Sequence, residues 1–398
     1  MAIRMRLVRL TGSGAGLGAR AWQVIRHGII GAGELGKFSL RASGQSTDAG
    51  LAIYNLIKVD ESKFAGCATD DLANPQQAQR AVEQNEASPK SSGITTGSHE
   101  HNHDDTGPVF VVDDGSIVDV MIVYTAEARA GWGGTANIMA LAQNCIDTTN
   151  IAYVNSATEP FELRLVHAEE VSYNESGSAS TDIYALQDPN DGLMDNVHPL
   201  RDTYGADLVA LLVDSFNACG VGFLAPFNED LGFTVTDTGC AVDNLSFPHE
   251  IGHNMGCHHD RDNAGSGPYP YGYGWRWTST NGSRYRTIMA YSQNGDTRVP
   301  YFSNPDVNFI GVPTGVANSE DNARVHDDTH YAIAKYRNSV STPDCVADTN
   351  GDGMLSPADF SAWVAAFNAM APECDQNSDG LCSPADFSAW VANYNAGC

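Results

Sequence analysis

The chain of 398 residues contains no apolar run approaching the roughly 20 residues needed to cross a bilayer, so a spanning helix is excluded. Basic residues are scarce: 22 Lys and Arg face 49 Asp and Glu, leaving a formal net charge of −27. A surface of that sign repels phosphate backbones and anionic headgroups, which argues against nucleic acid or an anionic membrane as partner. Nine cysteines are too few for a disulfide-knotted miniprotein, yet too many to be idle thiols in an exported chain. Residues 1–35 also lack a continuous apolar core ending at a small-residue cleavage site; Val24–Ile30 is interrupted by Arg26 and His27. Everything downstream reads as exported. The expectation is therefore a secreted or cell-surface protein whose start is misassigned or whose leader is truncated.

What is present is concentrated in the run His249-Glu-Ile-Gly-His-Asn-Met-Gly-Cys-His-His-Asp260. His249 and His253 stand one helical turn apart, so both imidazoles project from one face. Gly256 permits a positive φ, which lets the chain turn and return His259 as a third nitrogen ligand. Three neutral imidazoles and one open position suit a catalytic zinc, which makes a water acidic enough for a neighbouring base. Glu250, next to the first ligand, is that base, and the expected reaction is peptide-bond hydrolysis. Pro248 directly precedes His249 and is tolerable only in the first helical turn, which places the helix start between Asp243 and Ser246, with Asp243 or Asn244 as cap.

A second element, Thr287-Ile-Met-Ala-Tyr291, follows about thirty residues later. With it the sequence resembles the metzincin zinc endopeptidases, whose extended histidine motif is followed by a Met-turn. Asp260 after the third histidine makes it most similar to the reprolysin/adamalysin-like branch, and bacterial peptidyl-Asp metallopeptidases look similar. The resemblance covers roughly residues 109–340. It implies that Met289 underlies the metal without ligating it. It also leaves Tyr291 two readings, oxyanion stabilisation as in related branches or a packed aromatic beneath the site. Metzincin prosegments commonly carry a cysteine that occupies the open coordination position, and Cys67 is placed for that role; the other reading is a thiol awaiting a disulfide partner.

The organisation follows from composition and periodicity. Residues 1–73 form an N-terminal prosegment whose stretch 36–65 alternates like a small β-rich unit. Residues 74–108, rich in Gln, Ser, Gly and His, are a linker, including the tract His99–His103. A catalytic domain over 109–340 alternates strands (Val118–Tyr124, Phe161–Ala168, Asp207–Val213) with helices (Thr135–Ala152, Asp195–Tyr204). That pattern predicts an α/β (α+β) fold, a mixed twisted sheet above the zinc-binding helix. Cys219 and Cys240 bracket the approach to that helix and suit a disulfide. Cys145 has no assigned partner, and Cys257 is open to either a disulfide or a role behind the ligands. The aromatic loop 266–277 either lines a pocket or packs in the core, and Arg276, Arg284 and Arg286 are candidates to pair with an acidic substrate side chain.

Residues 341–398 carry an internal repeat. Asp348, Asn350, Asp352, Met354 and Asp359 fall at the calcium-loop positions 1, 3, 5, 7 and 12, and Asp375, Asn377, Asp379, Leu381 and Asp386 repeat them. One helix follows each loop, Phe360–Phe367 and Phe387–Tyr394. The pair resembles a type I dockerin, a small α-helical tail holding two calcium ions and docking on a cohesin-like scaffold or cell-surface protein. Cys345, Cys374, Cys382 and Cys398 staple this module. The combined expectation is a latent, tethered zinc endopeptidase with protein or peptide substrates. The alternative is an adhesive or catalytically silent protein that uses the same fold for binding.

Overall fold

The computed structural model describes residues 27–31, 37–46, 52–72, 109–111, 114–341, 346–350, 355, 357–377 and 380–396. The linker reading of 74–108 lies outside these, as do Asp352, Met354, Asp379, Cys345 and Cys398.

The N-terminal segment contributes an antiparallel meander, β1 (His27–Gly31), β2 (Lys37–Ser46) and β3 (Ala52–Lys58). The following α/β unit opens with β4 (Val109–Val111), paired with Ser339–Ser341 at its far end. Its main sheet holds β5 (Ile117–Tyr124), β6 (Glu162–Glu170), β7 (Leu208–Val213), β8 (Gly220–Gly222) and β9 (Phe233–Asp237). Their order is β6-β5-β7-β9-β8; all neighbours are parallel except β8, an antiparallel edge. The predicted mixed sheet is thus present, and the predicted strands and helices of the domain fall within a few residues of their expected bounds.

Burial on both faces explains why β7 reads as an unbroken apolar run and β5 as one interrupted only by Asp119. Val118, Val120 and Ile122 face one cluster and Met121 and Val123 the other, as the two-residue period requires. The first face carries α1 (Thr135–Ser156), which buries Ile138, Leu141, Ala142, Cys145, Thr149, Ala152 and Tyr153 at helical spacing. Each large aliphatic buried there contributes about 1.5–3 kcal/mol. The same face receives α3 (Ser246–Asn254). The opposite face is covered by α2 (Ala179–Gln187), and Ala68 and Leu72 of the N-terminal segment pack beside it. Later come α4 (Asn322–Ile333) and the tail helices α5 (Pro357–Ala369) and α6 (Pro384–Ala396).

In the tail, Trp363 and Trp390 share a small core with Ala347. The carboxylates at loop position 12 are drawn inward. Asp359 accepts the Asn350 amide, and Asp386 accepts the amides of Gln376, Asn377 and Ser383. A Cys374–Cys382 disulfide closes the second loop, and Cys219–Cys240 joins the start of β8 to the approach to α3. Among the described residues Cys67, Cys145 and Cys257 are free thiols, so the disulfide option for Cys257 is not taken. No helix among the described residues is long and apolar enough to cross a membrane.

Candidate active site

The helix α3 starts at Ser246, within the range expected, but its cap is neither Asp243 nor Asn244. Leu245 takes that position in a left-handed conformation (φ 57°) without a side-chain hydrogen bond among the described residues. Asn244 donates its side-chain amide to Ser246 and its main-chain carbonyl accepts from Arg298, while its Oδ1 meets no helix amide among the described residues. Pro248 falls in the first turn, where its missing N–H costs no helical bond. After Asn254 the chain turns at Gly256 (φ 100°), where a Cβ would meet Pro226, and short extended backbone carries His259 back.

The Nε2 atoms of His249, His253 and His259 converge to separations of 3.0–3.2 Å. Each Nδ1 is committed elsewhere: His249 donates to the Ile288 carbonyl at 2.8 Å, His253 to the Cys257 carbonyl at 2.9 Å and His259 to Asp70 at 2.9 Å. An imidazole that donates from Nδ1 offers only a lone pair at Nε2. Three lone pairs this close repel unless a cation lies between them. Tetrahedral zinc with bonds of about 2.0–2.1 Å would space its nitrogens roughly 3.3 Å apart, so the donor set fits that ion. Burial pushes His249 and His253 well below the ordinary imidazole value and keeps both neutral, as ligands must be.

Glu250 is buried beside the triad, and burial pushes its carboxyl up to about 8. Its Oε1 has no hydrogen-bond partner among the described residues; its Oε2 accepts from the Cys67 thiol at 3.1 Å. It fits there because Gly220 and Gly222 have no side chains: a Cβ on Gly220 would strike the Glu250 carboxylate and one on Gly222 its carbonyl. These glycines escaped the sequence reading, since nothing local to β8 signals the approach of a helix. Met289 is fully buried, and its sulfur fills the space that a Cβ on Gly252 would need, so the Met-turn seats directly under the ligand helix. Asp260 ties the layers together, accepting the Tyr291 amide at 2.9 Å and pairing with Arg276 at 2.8 Å.

The N-terminal segment crosses this cleft as an added strand. Ala68 donates to the Gly220 carbonyl and Cys219 to the Gly66 carbonyl, placing Cys67 alongside β8 in parallel. The Cys67 sulfur lies 3.5 Å from His253 Nε2, and it shares a four-donor cluster with the three imidazoles. Burial, then the nearby Glu250, raises the Cys67 thiol well above its ordinary value when no cation is beside it. Thr69 fixes the strand by bonding both the carbonyl and the amide of Gly222. Tyr291 donates its hydroxyl to the Cys67 carbonyl at 2.9 Å, and its ring lies 4.2 Å from that of His259.

Of the three candidate arginines, only Arg286 reaches the cleft. Arg276 is held by Asp260 and Asp262, and Arg284 is exposed. Arg298, which no motif marked, does reach it; burial lowers its guanidinium to about 9. Tyr269, Tyr273 and Trp277 of the aromatic loop are buried in the core.

Residues 114–303 match the model described as Metallo-peptidase family M12. A peptidyl-Asp metalloendopeptidase of Stenotrophomonas maltophilia is 38% identical over 55% of this chain and 52% of its own length. One of Xanthomonas campestris pv. campestris is 36% identical over the same shares. The chain thus spans about half the length of the curated relatives it matches. A solved structure described as a chaperone-substrate complex aligns at TM-score 0.45 and 20% identity, over 57% of this chain and 37% of that one. The stretch that holds the convergent imidazoles, Glu250 and the Met-turn is thus the stretch in which this chain is similar to the M12 metallopeptidases.

Proposed function

We propose that the chain is a zinc-dependent endopeptidase, made latent by its own prosegment. The observation that carries the reading is the convergence of three Nε2 lone pairs beside a buried carboxylate that opens on the same point. His249, His253 and His259 would hold the ion, which supplies Lewis acidity toward a water and the scissile carbonyl. Glu250 takes the proton from that water as it attacks and returns it to the leaving amine. Tyr291 already donates to a peptide carbonyl lying in the cleft, and the same hydroxyl would steady the charge that develops on a substrate carbonyl there. The glycine-lined edge β8 receives extended peptide through main-chain bonds, which suits a protein substrate. The name carried by the relatives supports scission at Asp.

Latency rests on Cys67. Its sulfur lies beside both Glu250 and His253 Nε2, so its thiolate would join the three imidazoles as a fourth donor to the ion until the segment is cut away. Two disulfides support a secreted or cell-surface setting, since such bonds persist outside the reducing cytosol. The repeated tail would bind two calcium ions and dock the enzyme on a cohesin-like scaffold. The inward Asp359 and Asp386 carboxylates support loops shaped around position 12.

The test is metal analysis of the full chain, together with hydrolysis of casein and a peptide library after limited proteolysis of the prosegment. One zinc per chain and activity abolished by Glu250→Ala is the expected result. A chain without stoichiometric zinc, or with unchanged hydrolysis in the variant, would overturn the reading.

A further inference from the structure

Arg286 and Arg298 lie side by side on a short parallel pair, and both are buried, their residues 2% and 6% exposed. Two adjacent buried guanidinium groups are costly unless carboxylates meet them. The catalytic domain supplies one partner, Asp296, 3.2 Å from Arg286 Nε. Carbonyls take further donors: Ala290 accepts from both arginines and Asn244 from Arg298. The next carboxylate comes from outside the domain. Glu61, on a single 3-10 turn of the prosegment, pairs with Arg286 Nη2 at 3.1 Å and accepts the Arg298 main-chain amide at 3.0 Å on the same oxygen. One cavity of about 240 Å³ joins Glu61, Arg286 and Arg298 to Cys67, His249 and Glu250. The carboxylate recess and the reacting centre are therefore one continuous cleft.

We propose that this recess is the subsite that reads an acidic side chain of the substrate beside the scissile bond, and that Glu61 is the occupant the latent chain supplies for itself. The inference rests on the endopeptidase reading and deepens it. When the prosegment leaves, Arg286 loses one ion pair and the Arg298 amide loses its acceptor. A substrate Asp or Glu restores both bonds and the counter-charge; Asn offers only a neutral acceptor and Ala none, so the buried guanidinium groups are left without that anion, the situation in which enzymes discriminate strongly. The prosegment is thus held at two chemically distinct points, a thiol at the metal position and a carboxylate in the recess.

Two measurements test this. In the zinc-loaded full chain, alkylation of Cys67 by iodoacetamide is followed by peptide mapping in the wild type, Glu61→Gln and Glu61→Ala. Loss of the carboxylate anchor should speed the reaction about tenfold or more, with Gln and Ala alike; equal rates in all three proteins would overturn the anchoring role. The processed enzyme is then given peptides that differ only by Asp, Glu, Asn or Ala at one position. Wild type should favour the acidic residues by roughly 10³-fold, and Arg286→Gln should lose that preference. No acidic preference in the wild type, or one retained in Arg286→Gln, would overturn the subsite. Should Arg286→Gln fail to fold, the wild-type panel and the Glu61 variants still decide the matter. Hydrolysis of no peptide at all would instead refute the endopeptidase reading, while the alkylation rates would still report on Glu61.

Discussion

His249 and His253 are oriented by main-chain carbonyls of their own domain, whereas His259 is oriented by the side chain of Asp70, which belongs to the N-terminal segment. The two carbonyls lie in the Met-turn and in the loop after α3, deep in the core, and move only if the fold moves. Asp70 is exposed, and under the proposed latency it would leave with the strand that carries it. The triad would then have a permanent half and a removable half. The proposed latent strand would close the metal position with Cys67 and also lend His259 its orienting carboxylate.

The largest effect should come from a group that serves both halves. Tyr291→Phe removes a hydroxyl whose only described acceptor is the Cys67 carbonyl, so folding should be preserved while kcat of the processed enzyme falls by about 10²–10³-fold with KM little changed. Steady-state kinetics checks this, and an unchanged kcat would return Tyr291 to a packing role. Next, Asp70→Ala should weaken zinc binding by roughly 10–100-fold in the full chain. It should change nothing once the prosegment is removed. Competition with a chromogenic chelator on both forms reads the contrast, and equal affinities in the full chains would break the comparison itself.

A smaller change is expected from Cys67→Ser. The unprocessed chain should hydrolyse peptide at least about tenfold faster than the unprocessed wild type, equivalent to some 1.4 kcal/mol of lost closure. Identical basal rates would mean that other contacts hold the strand.

The permanent half has a weakness to acid. His326 is fully buried against Tyr153 and Phe302, 3.5 Å from the Cys257 sulfur, and burial followed by His330 drives it down to about 3. Unfolded, it would take a proton near pH 6.5. The stability it contributes is therefore intact above that pH and declines as pH falls toward 3, by at most about 1.4 kcal/mol per pH unit. Urea unfolding midpoints between pH 7 and 4 should depend less on pH in His326→Phe than in the wild type. Parallel curves would place the acid sensitivity elsewhere.

Much of this was readable before any coordinates. The spacing of His249, His253 and His259 fixes their geometry almost by itself, because helical periodicity and one positive-φ glycine leave few alternatives. The apolar runs of β5 and β7 announced burial on both faces. Partners brought in from a distance were not readable. Asp70 is 189 residues from His259, Glu61 is 225 from Arg286, and no local pattern encodes either meeting. Arg298 sits in a short irregular strand with nothing around it to distinguish it from a surface arginine. Gly220 and Gly222 illustrate the same limit: their meaning lies in the helix that presses on them, not in the strand that contains them. Helix capping was missed as well: Asn244 has the right chemistry, but its side-chain amide faces Ser246 and its Oδ1 meets no helix amide among the described residues.

The strand β8 has a last consequence. While the prosegment is in place, the Cys219 amide and the Gly220 carbonyl are paired with it, and the Thr69 hydroxyl serves Gly222. Processing would strip those partners and leave the activated molecule with an open sheet border, a template for any extended chain, including that of a neighbouring copy. Colloidal behaviour should then diverge between the two forms. Under the proposed processing, the form with this strand in place should tolerate crowding better, whereas the cut form would depend on repulsion between acidic surfaces to stay dispersed, a protection that concentrated salt would weaken.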